Sequence, residues 1–547
     1  MKSFKYSIYV ACMMLLASCD QEVIDLQKPD PIIDTTCEDA VSGSADFTKF
    51  ITIGNSFVAG VQAGALYTDA QNNSLGAIIN KQLECAGASS TFNQPSINSE
   101  NGWNLFVTQP FLTDNSQPIL GRLALKYSGT DCTTGAPSAK PTAQESDISA
   151  LPNPAGNPGF LYTGSKASLN NFGVPAILLG QALIPETGNW TGATSDPRFS
   201  PFYGRLAYPG TGTSTLIGDA AASGGSFFLL YLGLDDFFLH AAYGGDPTAA
   251  PLTTGDNFKL QYAGAINALL NSNPDLKGVV GNFPNIFAMP HFTSVPYNPL
   301  PLDADKAQTL NGAFAGYNAA IQGLIGYAAL FNINDALKAE LATRLISYEA
   351  SCNNPVLISD ETLTDLGPYF DALMQNEIIS EEQRQALAPY QQVRQSKSTD
   401  IFPLMASTVI GTLVNNNPNY INGVTIPLAD KYVLLPSEVL EIETARQAYN
   451  AAINDIAADN STRIAVADIS TAFSDLITAR AAVISGVTIT PNINPPTGIY
   501  SEDGVHPNTR GYAFMSRIFI DAINKKFGST IPLTNINDYS ATGLPTQ

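Results

Sequence analysis

A three-layer α/β fold built around a parallel sheet is what the sequence predicts. Short β-branched runs alternate along the chain with longer helical patterns, which is how strand-helix-strand crossovers read in a sequence. The 547 residues are 44% hydrophobic and only 14% charged, enough to bury a large core. Past the N-terminal region no apolar run approaches the roughly 20 residues of a bilayer span. Strands are expected at 47–53, 226–232, 278–283, 432–435 and 463–467. The strongest helical pattern is 437–458, where Val439, Leu440, Ile442, Ala445, Tyr449, Ile453 and Ile456 form a broad apolar stripe. Ser437 is its expected cap and Pro436 precedes it, so 432–467 reads as one strand-helix-strand unit.

Taken in order, Lys2 and Lys5 precede an apolar stretch from Ile8 to Leu16, and Leu16-Ala17-Ser18-Cys19 follows. Residues 1–18 read as a secretory signal, too short to remain as a membrane span. Leu-Ala-Ser-Cys resembles a bacterial lipobox, which implies cleavage before Cys19 and acylation of its thiol. The expected product is an exported lipoprotein, held on a membrane through Cys19 and facing the periplasm or the cell exterior. Each buried acyl methylene contributes about 0.8 kcal/mol to such anchorage. Residues 19–45, acidic and Pro-bearing, are the expected tether, 46–535 the body, and 536–547 a C-terminal tail.

At 51–56 the chain reads Ile-Thr-Ile-Gly-Asn-Ser, a short strand running into a turn. Such a turn presents a hydroxyl at the carboxyl edge of a sheet, where open α/β folds place their sites. Far downstream, Asp503 and His506 lie three apart in a Gly- and Pro-bearing loop before an expected helix at 510–526. A serine hydroxyl is a weak nucleophile until a base takes its proton, and the base needs a third group to fix its tautomer. Ser56, His506 and Asp503 can fill those three roles. The chain has three histidines, and the apolar surroundings of His240 and His291 favour structural roles. His291 follows an expected strand end and is expected to approach the pocket wall.

Together these segments resemble the SGNH (GDSL-type) hydrolase superfamily, in which an early Gly-Asp-Ser block carries the nucleophile and a late Asp-x-x-His block completes the triad. Asn170-Asn171-Phe172-Gly173-Val174-Pro175-Ala176 resembles the second block and Gly233-Leu234-Asp235-Asp236 the third, Gly-x-Asn-Asp. Three positions depart from the pattern: Asn55 for an aspartate, Ala176 for a glycine and Asp235 for an asparagine. The resemblance implies an SGNH-like sandwich enlarged by insertions, with hydrolysis of carboxylic esters by Ser56, His506 and Asp503 and no metal or organic cofactor. It implies an oxyanion site made by the backbone N–H groups of Ser56 and of Gly173 or Ala176. The family's third-block amide would be replaced there by Asp235. Because the aspartate of the first block is not the proton acceptor in this scheme, Asn55→Asp is expected to change activity only modestly. The competing expectation, supported by the same departures, is a tethered binding or structural lipoprotein that keeps the fold without the chemistry.

Two stretches exceed the minimal pattern. Residues 61–169 are rich in Gly, Ser, Thr, Pro and Asn and read as irregular loops pinned by Cys85 and Cys132. Residues 300–430 carry helical patterns such as 306–330 and 381–388, punctuated by prolines, and either stretch can roof the serine. Beyond Cys19, the four cysteines Cys37, Cys85, Cys132 and Cys352 permit three disulfide pairings in an exported chain. They show no metal-ligand spacing. A net charge of −21 repels phosphate backbones, so nucleic acid is not an expected partner; the partner the resemblance implies is an ester substrate (lipid, acylated glycan or small ester).

Overall fold

Every residue of Phe50–Gly54 (β1) and of Phe227–Tyr231 (β3) is buried, the pattern of strands covered on both faces. With Asn171–Gly173 (β2), Lys277–Gly281 (β4) and Ile464–Ala467 (β5) they form one five-stranded sheet, all parallel, in the order β5-β4-β3-β1-β2. The computed structural model describes residues 36–105, 119–148, 161–190, 196–207 and 212–546. The expected signal, 1–18, and Cys19 lie outside them. Among the described residues, no helix is long and apolar enough to cross a membrane.

The helices used below are α1 (Ser56–Ala59), α2 (Leu75–Leu83), α3 (Leu216–Ala222), α4 (Asp235–Ala242), α5 (Gly255–Ser272), α6 (Pro436–Asp459) and α7 (Thr509–Phe527). They flank the sheet in two groups. Helix α7 packs on α2 and on β4 and β5, while α5 packs on α3 and α6. The chain leaves β1 and crosses to β2 on one side, then returns to β3 on the other, so the gap between β1 and β3 is a topological switch point. At such a point the two crossovers diverge and leave a crevice at the carboxyl ends of the strands.

Several elements differ from the sequence expectation. Residues 432–435 are not a sheet strand: Asp430–Tyr432 is a 3-10 turn, and Leu434 only bridges Ile401. The block at 171–173 takes the place in the sheet. Helix α6 starts at Pro436, one residue before the expected cap, and it is Glu438 that closes the start by accepting the Leu435 N–H at 2.6 Å. Helix α7 begins at Thr509, capped by Asn508, whose Oδ1 accepts the Gly511 N–H.

Residues 61–169 are more regular than loops. They hold α2, a short helix at Thr68–Asn72 and the antiparallel hairpin Leu120–Thr130 with Pro137–Glu145. The expected helix at 306–330 is two, Ala304–Ala313 and Ala315–Gly326. The region 300–430 builds a second hydrophobic core around Phe314, Ile321, Leu341, Phe370 and Val393. Within it Arg394 is buried between Asp360 (2.5 Å) and Asp400 (2.6 Å), so its charge is matched where water does not reach.

The disulfides are Cys37–Cys85 and Cys132–Cys352, not a link between Cys85 and Cys132. The first fixes residues that composition assigns to the tether. Ser44 also bonds to Phe527 at the end of α7 and Val41 to Thr530 just past it, so the body begins near Cys37. The second disulfide ties the hairpin to the second core. The C-terminal tail is held as well, Thr546 exchanging backbone hydrogen bonds with Leu125 and Tyr127 of the hairpin.

Candidate active site

The site lies at the carboxyl end of β1, beside the switch point. Gly54 ends the strand where a Cβ would strike the Tyr231 carbonyl and the Val58 side chain, so only glycine lets the chain turn this close to β3. Asn55 caps α1, its Oδ1 accepting the Phe57 N–H at 3.2 Å. Ser56 is therefore the first residue of a short helix whose N-terminus faces the crevice.

The segment 501–506 folds back on itself, with Ser501 N–H and Oγ both donating to the His506 carbonyl. Asp503 is almost wholly buried, and its carboxylate accepts four hydrogen bonds. Oδ1 takes the Val505 and His506 N–H groups at 2.8 Å; Oδ2 takes the Gly64 N–H at 2.5 Å and His506 Nδ1 at 2.8 Å. Burial alone would raise its pKa, but the His506 ring and these donors outweigh burial and hold it below the ordinary carboxylate value. A carboxylate oxygen at Nδ1 places the proton there and leaves Nε2 as the basic nitrogen. The Phe57 ring packs against the imidazole, with centroids 5.2 Å apart.

Ser56, His506 and Asp235 line one cavity, open on one side to solvent. Its other walls are apolar: Phe57, Leu105, Ala176, Leu234, Phe238, Leu239, Ala242, Tyr243, Met405 and Val505. Leu105 and Met405 come from the two insertions, so each contributes to the cavity wall. Of the expected oxyanion donors, the structure separates the two alternatives. The Ala176 N–H points at Ser56 Oγ, 2.9 Å away, whereas the Gly173 N–H is taken by the Asn171 side chain at 2.8 Å. Gly173 is instead a close-approach position, where a Cβ would collide with the backbone of Ala59. Ala176 has φ of +55°, a left-handed conformation that glycine adopts without strain and alanine does not.

Asp235 and Asp236 begin α4, both buried. Asp235 Oδ2 accepts the Asn55 amide at 2.5 Å. The contact argues against the expectation that Asn55 is a tolerant position, since an aspartate there would face a second carboxyl in the interior. Burial pushes the Asp235 carboxyl up to about 6, against the pull of Asn55 and His506. Asp236 turns the other way, accepting Leu179 N–H at 2.8 Å and Thr253 Oγ1 at 2.9 Å, and burial lifts it to about 7.

His240 is fixed by the Ala250 carbonyl, 2.6 Å from Nδ1. His291 does not line the cavity as expected. It sits behind the triad segment, with Nδ1 3.1 Å from the Asp503 carbonyl and its N–H on the Gly504 carbonyl at 2.9 Å. Burial pushes its imidazole down to about 4. Gly504 has φ of +71° and lies against His291, so the turn between Asp503 and His506 depends on a left-handed residue with no side chain. Neither the Gly64 donor nor the His291 support has a spacing signal in the sequence; both come from segments hundreds of residues away from Asp503.

Among the described residues, Glu361, Asp430 and Glu438 are the one acidic group with ligand atoms close enough to share a cation, within 4.8 Å of one another. None of them lines the cavity that contains Ser56. Comparison of the chain with protein-family models, with curated proteins and with solved structures returns no match.

Proposed function

We propose that the protein is a serine ester hydrolase of the SGNH (GDSL) type. The observation that carries this reading is the Asp503–His506 contact of 2.8 Å, with the histidine lining the same cavity as Ser56 at the carboxyl end of the sheet. In this mechanism His506 Nε2 takes the Ser56 proton as Oγ attacks the acyl carbon. Asp503 holds the imidazole and stabilises its positive charge. The Ala176 N–H meets the developing oxyanion, close to where it now meets Oγ. His506 then protonates the leaving alcohol, and water repeats the cycle on the acyl-serine. The SGNH-like sandwich belongs to the same reading, supported by the parallel order β2-β1-β3-β4-β5. The reading also has the chain exported and anchored through acylated Cys19. A fluorophosphonate probe tests the chemistry: Ser56 of the wild type is labelled and Ser56→Ala is not. Folded wild-type protein that stays unlabelled would instead support a binding lipoprotein.

A further inference from the structure

Shortly after Ser56 the chain reverses in a buried turn. Gln62 and Ala65 exchange backbone hydrogen bonds at 3.1 and 3.0 Å, and between them Ala63 and Gly64 have φ of +51° and +72°. Positive φ at both central positions is the signature of a I′ turn, in which the central N–H groups have no partner within the turn itself. Here the triad segment takes both: Ala63 N–H donates to Ser501 Oγ at 2.8 Å and Gly64 N–H to Asp503 Oδ2 at 2.5 Å. The carbonyls of the same two residues are held by the insertion that follows. Leu123 of the hairpin donates to the Ala63 carbonyl and Leu105 to the Gly64 carbonyl, each at 2.8 Å. Just before the turn, the Val61 N–H returns to the Ser56 carbonyl at 3.0 Å, and the Val61 carbonyl accepts the Tyr512 hydroxyl of α7 at 2.7 Å. One turn thus joins the helix of Ser56, the Asp503 carboxylate, the cavity wall at Leu105 and the hairpin.

We infer that this turn positions the triad: Gly64 is a positioning residue whose N–H fixes the Asp503 carboxylate relative to Ser56, and the insertion at 61–169 serves that acid as well as the cavity wall. The inference rests on the ester-hydrolase reading for what the triad does. Of the four hydrogen bonds that the carboxylate accepts, three come from Val505 and His506 and travel with the segment that carries them. The Gly64 N–H is the one that comes from outside, so it sets where that segment stands. It binds Oδ2, the same oxygen that takes His506 Nδ1, so the carboxylate cannot turn away from the imidazole without breaking it. Through Val61 the same turn is tied to the Ser56 carbonyl, which fixes acid and nucleophile to one short stretch of backbone. A misplacement of about 1 Å between reacting groups can cost about a hundredfold in rate, so a single donor at this point acts on kcat. Glycine suits position 64 because it adopts the left-handed φ without strain.

Backbone ester exchange in the full chain, made by cell-free translation, tests this. Gly64→glycolic acid replaces the N–H by an oxygen. It also makes the Ala63 carbonyl a weaker acceptor, so Leu123→leucic acid, which removes only the donor to that carbonyl, is its companion. On one activated ester, the Gly64 exchange is expected to lower kcat about 10- to 100-fold with KM within about twofold, the size of a lost hydrogen bond to a charged group. The Leu123 exchange, acting through the turn, is expected to cost less than about fivefold. In an Asp503→Asn background the Gly64 exchange should change kcat by less than about twofold, because the carboxylate it holds is gone. Losses that multiply in that background, an unchanged kcat, a rise in KM alone, a Leu123 exchange as costly as that at Gly64, or a Gly64 exchange that does not fold by circular dichroism would each overturn the inference. The His506 Nδ1 proton, read at low field by NMR without turnover, should move upfield in the Gly64 exchange. Together with fluorophosphonate labelling of the wild type it separates the two claims. Labelling with an unmoved proton sinks the positioning role and keeps the hydrolase; a moved proton without labelling keeps the positioning of Asp503 and sinks the hydrolase.

Discussion

Asn55 Nδ2 donates to Asp235 Oδ2 across 2.5 Å, joining the turn after β1 to the first turn of α4. Both residues are buried, and both depart from the SGNH pattern that the chain resembles. Relative to that pattern the acid and the amide have exchanged positions, and they are bonded to each other.

An exchange of this kind predicts rescue. Asn55→Asp faces two carboxyls in the interior and should cost about 1–3 kcal/mol, the penalty of a lost buried hydrogen bond, together with most of any esterase activity. The double variant Asn55→Asp/Asp235→Asn restores an acid–amide pair with its direction reversed, and should recover most of the loss. Urea denaturation of the two single variants and the double closes the cycle. Simple addition of the two single effects would show that the contact is incidental.

The three histidines separate by their partners. His506→Ala removes the proposed base and should lower kcat by about four to six orders of magnitude with the fold intact. His240→Ala loses a bond to a loop carbonyl and should leave kcat within about tenfold. His291→Ala lies between, because it removes support behind Asp503 without touching the reacting atoms. Steady-state rates on one activated ester, with circular dichroism for folding, rank the three. Equal losses in all three would mean that the base is misassigned.

Legibility in the sequence followed the range of the interactions. The strands at 50–54, 227–231, 277–281 and 464–467 were readable because a buried parallel strand is a local apolar run. Three residues of Asn-Phe-Gly at 171–173 carry no such pattern and enter the sheet only because β1 offers an open edge. The run 432–435 has the composition of a strand but is taken up by a 3-10 turn at Asp430–Tyr432 and a single bridge from Leu434 to Ile401. Ser56, Asp503 and His506 were legible because each sits in a short local motif. The groups that fix them were not: Gly64 donates to Asp503 across 439 positions, and Asn55 reaches Asp235 across 180. Disulfide pairing was open for the same reason: Cys37 meets Cys85 across 48 positions and Cys132 meets Cys352 across 220.

The Cys132–Cys352 bond closes a separation of 220 residues, and it joins the two segments that supply Leu105 and Met405 to the cavity. The double change to serine should cost about 2–4 kcal/mol, chiefly by freeing the unfolded chain. Thermal unfolding with and without reductant measures it. The wild type should lose stability on reduction, while the serine variant retains only the smaller effect of Cys37–Cys85.

Export carries its own test. Cys19→Ser should shift the protein from the membrane fraction to the soluble one, since acyl chains at that position are the proposed anchor. Fractionation of cells expressing each form reads this directly, and retention of Cys19→Ser in the membrane fraction would mean another anchor.

The pH dependence follows from Asp235. Burial lifts its carboxyl to about 6, so it is neutral below that value and charged above it. In the neutral state it can donate a hydrogen bond; as a carboxylate it only accepts, and beside Ser56 it repels the negative charge that develops on the acyl oxygen. Ester hydrolysis should therefore decline as pH rises through about 6. Asp235→Asn keeps a donor at every pH, and removing one oxyanion donor typically costs about 100- to 1,000-fold in kcat, so the variant should be at least tenfold faster above pH 7. Stability moves in the same direction. A carboxyl whose folded pKa is raised binds its proton more tightly in the native state. The native state thus loses stability between the unfolded value of about 4 and the folded value of about 6, and is level above it. Asp235→Asn should remove that part of the decline. A pH–rate profile of both proteins on one activated ester, with urea midpoints at pH 5 and 7.5, gives both readings. An Asp235→Asn enzyme that is no faster at any pH would show that Asp235 does not face the oxyanion.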